Sequence, residues 1–106
     1  MNASHVTIAR MKGAWVYILA SGRRGYLYVG VTSDLARRMH QHRSGETTGY
    51  VAQRRVYRLV YADHVADIED AIAQEKRMKR WPRQWKFNLI ERDNPDWLDL
   101  FEILNR

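Results

Sequence analysis

Two short runs of β-branched and aromatic residues, joined by a turn, constrain the fold of this chain more than any other feature. The runs are AWVYILA over residues 14–20 and GYLYVGVT over residues 25–32, and turn-forming residues occupy 21–24. Such a pattern predicts a β-hairpin. Because side chains alternate across a strand, an even-numbered loop places Tyr17 and Tyr28 near each other on one face.

The segment that follows the hairpin predicts a helix ending near Arg43. Thr32 and Ser33 supply its expected N-cap. Arg38 and His42 fall on the same helical face as the apolar residues of this segment, because they continue its spacing of three and four residues. Two basic side chains therefore lie beside a predicted buried stripe.

The rest of the chain predicts one more strand and three more helical segments. Residues 44–55 have the composition of a loop, and residues 56–62 alternate as a third strand. A second amphipathic helix is expected from Val65 to about Arg80. Its apolar stripe is formed by Ile68, Ala71 and Ile72, and is continued by Glu75 and Lys79.

Pro82 is expected to open a further short helix through about Ile90, because proline is compatible with the first turn of a helix. A last amphipathic turn follows the break at Asn94-Pro95. Its apolar residues either pack on the domain or form a dimer face, and packing on the domain is the expected outcome. These residues are Trp97, Leu98, Phe101 and Leu104.

Length and composition favour one small folded domain that binds a polyanion. The chain has 106 residues, 45% of them hydrophobic, and contains no cysteine, which excludes disulfide and thiolate-metal frameworks. The net charge is +6, and residues 1–55 carry nine basic but only two acidic side chains. We expect a flexible lead-in over residues 1–13 and a single domain over 14–106. With no apolar run long enough for a membrane span, the protein is expected to be cytoplasmic.

Three inward-facing polar groups are candidates for chemistry: a hairpin tyrosine, Arg38 and Glu75. A buried charge usually has a partner or a task. From the pattern alone, two interpretations stay open. Arg38 and Glu75 form a structural ion pair beside satisfied tyrosine hydroxyls, or the same groups form an active site.

The order of the motifs resembles that of the GIY-YIG nuclease superfamily, and in particular its small single-domain bacterial branch. Trp15-Val16-Tyr17 and Tyr28-Val29-Gly30 correspond to the two motifs that give the family its name, although Trp15 and Val16 stand in place of Gly and Ile. Arg38 follows in a helix, and Glu75 opens the run EKRMKRW. The resemblance implies an α+β fold in which a small three-stranded antiparallel sheet is flanked by helices.

The resemblance also implies an activity, the hydrolysis of phosphodiester bonds in DNA by a metal-dependent endonuclease, with a role in DNA repair or recombination. It implies one divalent cation, Mg²⁺ or Mn²⁺, held by Glu75. It also implies a tyrosine as general base, whose phenol pKa is lowered by Arg38, Lys79 and the cation. Single-stranded, duplex, flap and branched DNA, and RNA, all stay open as substrates. The implied catalytic residues are Tyr17, Tyr28, Arg38, His42, Glu75 and Asn88.

Basic side chains spread over the chain are expected to bind the nucleic-acid backbone with little sequence preference. A second interpretation is a nucleic-acid-binding module that cleaves weakly or only with a protein partner, and such a partner would also target the nuclease. A third is a basic structural protein. The expected backbone contacts are Arg23, Arg24, Arg37, Arg43, Arg54, Arg55, Lys76, Lys79 and Arg80.

Overall fold

A computed structural model describes residues 13–45 and 49–104. All of the predicted lead-in except Gly13 lies outside the described residues. Within these two ranges, three strands and five helices follow in the order β1, β2, α1, α2, β3, α3, α4, α5. The strands are β1 (Ala14–Ala20), β2 (Leu27–Thr32) and β3 (Arg58–Val65); the helices are α1 (Leu35–Arg43), α2 (Tyr50–Arg54), α3 (Ile68–Arg80), α4 (Arg83–Asp93) and α5 (Leu100–Leu104).

The strands form one antiparallel sheet with the order β2-β1-β3, so β1 is central. The predicted α+β architecture, a small three-stranded antiparallel sheet flanked by helices, is confirmed. No helix in the described part of the chain is long and apolar enough to cross a membrane.

The two sheet faces carry separate apolar clusters, as the alternation of β1 predicts. Val16 and Ile18 belong to the cluster that α3, α4 and Trp97 complete. Tyr17 and Leu19 belong to the opposite cluster, which α1 covers through residues such as Met39. The face that carries Tyr17 is therefore the face on which the first helix packs.

The hairpin register differs from the predicted one by two residues. A loop over residues 21–24 would place Tyr17 opposite Tyr28, whereas Tyr17 pairs with Gly30 and Leu19 pairs with Tyr28. The loop is longer because two hydrogen bonds join Ser21 to Tyr26. The Ser21 amide donates to the carbonyl of Tyr26, and the Ser21 Oγ accepts from the Tyr26 amide. A shift of two residues leaves every side chain on its predicted face.

Other predicted boundaries and caps also move. Asp34, and not Thr32 or Ser33, caps α1, because its side chain accepts from the amide of Arg37. Part of the predicted loop over 44–55 is the five-residue helix α2, which is too short to show a period. The third strand covers 58–65 instead of 56–62.

The later helices are shifted as well. The second amphipathic helix begins at Ile68, since Asp67 caps it. Pro82 is the N-cap of α4 and not its first turn, and α4 continues to Asp93. On α3 the buried residues are Ala71 and Met78, so the predicted apolar stripe is only partly correct. Its other members, Ile68 and Ile72, are 49% and 38% exposed.

A β-bulge in β3 interrupts the predicted alternation of the third strand. Ile18 pairs with Tyr61 and Leu19 pairs with Leu59, so Val60 is the extra residue. Val60 and Tyr61 both join the cluster of α3 and α4, whereas Leu59 joins the cluster of Tyr17. The bulge thus lets one strand supply apolar side chains to both layers.

The segment between α4 and α5 is fixed by buried polar groups. The side-chain Nδ2 of Asn94 donates to the backbone carbonyls of the bulge residue Val60 and of Leu98. Its Oδ1 accepts from the backbone amide of Leu98. Trp97 is fully buried, and its Nε1 donates to Glu91 at 2.7 Å. Trp97 and Phe101 pack on the domain as predicted, whereas Leu98 stays 52% exposed.

Arg43, predicted to contact nucleic acid, also contacts the C-terminal segment. Its guanidinium lies 2.6 Å from Asp99 and 3.1 Å from Glu102. The same group donates to the carbonyl of Tyr57 and lies 4.7 Å from the ring centroid of Phe101. These contacts give Arg43 a structural role, and its contact with nucleic acid stays a prediction.

We expect Arg43→Ala to lower the free energy of unfolding by about 1 kcal/mol, because it removes a partly buried ion-pair network. Urea denaturation would measure the loss. Arg37→Ala, on the same helix and exposed, is the matched control and should leave stability unchanged within about 0.5 kcal/mol. Unchanged stability of Arg43→Ala together with weaker nucleic-acid binding would contradict the structural role and support the predicted contact with nucleic acid.

Candidate active site

Tyr17, Tyr28 and His42 form an aromatic cluster where β1, β2 and α1 meet. The ring centroids of the two tyrosines are 6.3 Å apart, and His42 lies 6.2 Å from Tyr17 and 5.9 Å from Tyr28. The Tyr17 hydroxyl is 3.3 Å from Nε2 of His42, at hydrogen-bonding distance. The predicted proximity of the two tyrosines is confirmed, and His42 joins them.

Gly30 makes room for the Tyr17 ring. A Cβ built on Gly30 would lie 2.5 Å from both Cζ and the hydroxyl oxygen of Tyr17, well inside van der Waals contact. Gly30 faces Tyr17 across the β1–β2 pair, so the phenol lies directly over the glycine. The motif Tyr28-Val29-Gly30 contains this glycine, but the predicted register paired Tyr17 with Tyr28 and so gave Gly30 no function.

The helix α3 brings a carboxylate and an ammonium group to the same region. The Glu75 carboxylate lies 3.3 Å from Nζ of Lys79, one helical turn on, and its side chain is only 14% exposed. Nζ of Lys79 lies 5.9 Å from the ring centroid of Tyr28. The charge of Glu75 is close enough to raise the pKa of Tyr17.

Arg38, half-buried on α1, completes the cluster. Its positive charge lowers the pKa of both Tyr17 and His42, which places it near each of them. Glu75 forms its ion pair with Lys79 and not with Arg38. The interpretation of a buried Arg38–Glu75 structural pair therefore finds no support in the described contacts.

Burial, and not charge, dominates the acidity of the central groups. Burial raises the pKa of the Tyr17 phenol, with Tyr28 adding to the rise, and the lowering by Arg38 is smaller. The resemblance implied that Arg38, Lys79 and a bound cation would favour a phenolate. Among the groups of the protein itself, burial outweighs the effect of Arg38 on the Tyr17 pKa, and the effect of a cation stays a prediction. Burial and then Arg38 lower the pKa of His42, so its imidazole is neutral at neutral pH.

Asn88 is not part of this cluster in the described contacts. It is exposed on α4, and its Oδ1 accepts from the Gln84 amide one turn earlier. Within residues 13–45 and 49–104, no three His, Cys, Asp or Glu side chains are grouped to hold a metal ion. A cation at this site would therefore rely on Glu75, with water and substrate oxygens as its other ligands.

The predicted nucleic-acid contacts fall into two groups. Arg24 donates to both carboxylate oxygens of Glu91, and Arg43 holds α5, so both have structural partners. Arg54 lies over the ring of Tyr26, at 4.8 Å from its centroid. Lys79 pairs with Glu75 and is also exposed. The remaining predicted contacts are exposed on the surface; they are Arg23, Arg37, Arg55, Lys76 and Arg80.

The fold and this cluster define the class of the protein. The family model of the GIY-YIG catalytic domain matches residues 13–88, so the chain belongs to the GIY-YIG family. Its domain is a nuclease domain, and nucleases of this family generally use a divalent metal and act on nucleic acid. The matched range contains both tyrosines, Arg38, Glu75 and Asn88.

Individual relatives are UPF0213 proteins of bacteria. One from Streptococcus pneumoniae is 34% identical over 90 residues, covering 84% of this chain and 90% of the relative. One from Bacillus pumilus is 40% identical over 67 residues, covering 63% and 68%. The solution NMR structure of a UPF0213 protein from Bacillus halodurans matches with a TM-score of 0.52 at 30% identity, over 82% of this chain and 92% of that chain.

Proposed function

We propose that this GIY-YIG protein is a metal-dependent endonuclease that hydrolyses phosphodiester bonds, with DNA as its expected substrate. One observation carries the proposal: β1, β2, α1 and α3 each bring polar side chains of different chemistry to one place, around a buried phenol. These side chains are a hydroxyl, an imidazole, a guanidinium and a carboxylate, which together can supply proton transfer, charge stabilisation and metal binding for phosphodiester hydrolysis. A role in DNA repair or recombination stays a prediction.

Glu75 would hold the cation. A lone, largely buried carboxylate fits a hard ion such as Mg²⁺ or Mn²⁺, which keeps several waters and accepts one or two protein oxygens. When bound, the ion supplies positive charge for the phosphate and lowers the pKa of a bound water. Nζ of Lys79 lies 3.3 Å from the Glu75 carboxylate and so holds it in place.

Arg38 would bind the scissile phosphate. A guanidinium offers planar, paired donors to phosphate oxygens and keeps its charge at every physiological pH. Arg38 lines two surface pockets, so its side chain is reachable from solvent although it is half-buried. Its charge would matter most as the phosphorus gains a fifth oxygen in the transition state.

Tyr17 and His42 would act as the proton-accepting pair. Because the Tyr17 phenol stays protonated and the His42 imidazole stays neutral, the hydroxyl can donate to Nε2 at 3.3 Å. As the attacking water loses a proton to the tyrosine oxygen, the phenol proton passes to Nε2. This exchange avoids a free phenolate, which burial disfavours. Tyr28 would orient the water.

The test is a cleavage assay on labelled single-stranded, duplex and branched DNA and on RNA, with Mg²⁺ or with EDTA. We expect cutting that requires the metal. Binding to every substrate without cutting would instead favour a nucleic-acid-binding module that acts only with a partner. If the protein neither binds nor cuts any of these substrates, both the endonuclease proposal and the binding-module alternative are contradicted.

We expect Arg38→Ala to lower kcat roughly 100-fold or more while KM changes by less than about 10-fold, because the guanidinium contributes chiefly to the transition state. Steady-state kinetics on the best substrate would separate the two constants. Arg80→Ala, an exposed arginine on α3, is the matched control and should affect KM alone. If Arg38→Ala lowers kcat/KM and substrate affinity by the same factor, Arg38 only binds the substrate and does not stabilise the transition state.

A further inference from the structure

Two adjoining pockets flank Arg38 and are not used by the proposed chemistry. The first has a volume of about 230 Å³ and the second about 250 Å³. Thr32, Ser33 and Arg38 line both, so the pockets share one wall. A ligand that reached into both would pass directly over the guanidinium proposed to bind the scissile phosphate.

The two pockets differ in chemistry. Aliphatic side chains form the other walls of the first, which we call the aliphatic pocket; they are Ala14, Val31, Ile68 and Ile72. Asp34, Arg37 and Gln41 line the second, which we call the polar pocket. The Asp34 carboxylate already caps α1 by accepting from the Arg37 amide at 3.1 Å, which leaves the Arg37 guanidinium as the charge offered to a ligand.

Two isoleucines on α3 border the aliphatic pocket and are exposed among the described residues. Ile68 and Ile72 are 49% and 38% exposed on α3, the helix that also carries Glu75. Large apolar side chains left in water beside a charged site are typical of a surface that a ligand covers. The charge of Arg38 at the edge of the same pocket indicates that this ligand is joined to an anion.

A nucleotide has the same two parts, a planar base with apolar faces and an anionic phosphate. The aliphatic pocket, at about 230 Å³, is small for a ligand pocket, which suits one heterocycle better than a base pair. Enzymes that accept an unpaired base commonly pack it against apolar side chains. Charge and size thus agree on one occupant.

We propose that the aliphatic pocket binds a single unpaired base of the nucleotide next to the scissile phosphate, and that the polar pocket takes the adjoining phosphate at Arg37. This inference rests on the proposed nuclease function and adds a requirement to it. A base that remains stacked in a duplex cannot enter, so the substrate strand must be single or locally unpaired on this side of the cut.

The test combines a modified substrate with a modified pocket. A labelled oligonucleotide, in which all linkages but one are nuclease-resistant phosphorothioates, fixes the scissile phosphate. Removing one base at a time should lower kcat/KM roughly 10-fold at one flanking position only, the expected loss of one packed base. The double variant I68A/I72A should show the same loss on the intact oligonucleotide, and no further loss on the abasic one.

Ile103→Ala is the matched control, since Ile103 is 45% exposed on α5 and lines neither pocket. It should leave kcat/KM unchanged on both substrates. Thermal unfolding of I68A/I72A checks that the variant is folded, and circular dichroism checks its helix content. If the loss in kcat/KM from I68A/I72A and the loss from base removal multiply, the proposal is overturned. It is also overturned if base removal leaves kcat/KM unchanged at every position.

A binding measurement separates this inference from the proposed function. Fluorescence anisotropy with the same oligonucleotides gives Kd without any cleavage. If no nucleic acid is cut but base removal at one position weakens binding in the wild type and not in I68A/I72A, the endonuclease proposal fails and the pocket stands. If cutting occurs and neither kcat/KM nor Kd responds to base removal, the nuclease stands and the pocket fails.

Discussion

Glu75→Gln should abolish cleavage, with kcat reduced on the order of 10³-fold while nucleic-acid binding persists. The substitution keeps the size of the side chain but removes the negative charge on which a divalent cation depends. It also breaks the 3.3 Å pair with Lys79, which frees a positive charge for the phosphate backbone. Affinity should therefore be equal to or stronger than that of the wild type.

Single-turnover kinetics over a range of Mg²⁺ concentrations, with anisotropy for binding, would measure both effects. Glu69→Gln is the matched control, because Glu69 is an exposed carboxylate in the first turn of the same helix. It should cleave as the wild type does. Wild-type activity in Glu75→Gln would show that Glu75 is not the metal ligand and would contradict the proposed cation site.

Gly30→Ala should damage both the stability of the domain and the proposed chemistry. The new Cβ would lie 2.5 Å from the hydroxyl oxygen of Tyr17, whose fully buried ring has little room to retreat. We expect the free energy of unfolding to fall by about 1–3 kcal/mol through overpacking. Displacement of the phenol from His42 should lower kcat on the order of 100-fold.

Gly22→Ala provides the control, because a Cβ there would meet nothing within 4 Å. Urea denaturation and steady-state kinetics on both variants would separate a loss of folding from a loss of chemistry. Chemical shifts of the His42 ring would report directly whether the hydrogen bond survives. Normal kinetics and stability in Gly30→Ala would mean that the Tyr17 ring moves freely, contrary to the packing described here.

The sequence predicts which face each hairpin residue occupies, because that depends only on alternation and on an even loop. It does not predict the pairing of residues 17 and 30. The pairing depends on how Ser21 closes the loop with its side chain, which no alternation pattern encodes. The bulge at Val60 is similar, since its buried partner Asn94 lies 34 residues away.

The candidate site is predicted by the order of its motifs and not by local pattern. Periodicity placed Ile68 and Ile72 in the core, but helix α3 buries the neighbouring line of Ala71 and Met78. Hydrophobicity cannot distinguish a stripe that covers the sheet from one that borders a pocket. Likewise, charge alone placed Arg43 among the nucleic-acid contacts, although Asp99 and Glu102 neutralise it.

The central position of β1 has a consequence for motion during catalysis. A strand that is hydrogen-bonded on both sides opens only when the whole domain unfolds, so its amide hydrogens should be among the slowest to exchange with solvent. Tyr17 is therefore attached to a strand paired on both edges, whereas Arg38 and Glu75 are carried by helices packed on opposite faces of the sheet. We expect the phenol to be the fixed point of reference if these helices shift when a substrate binds.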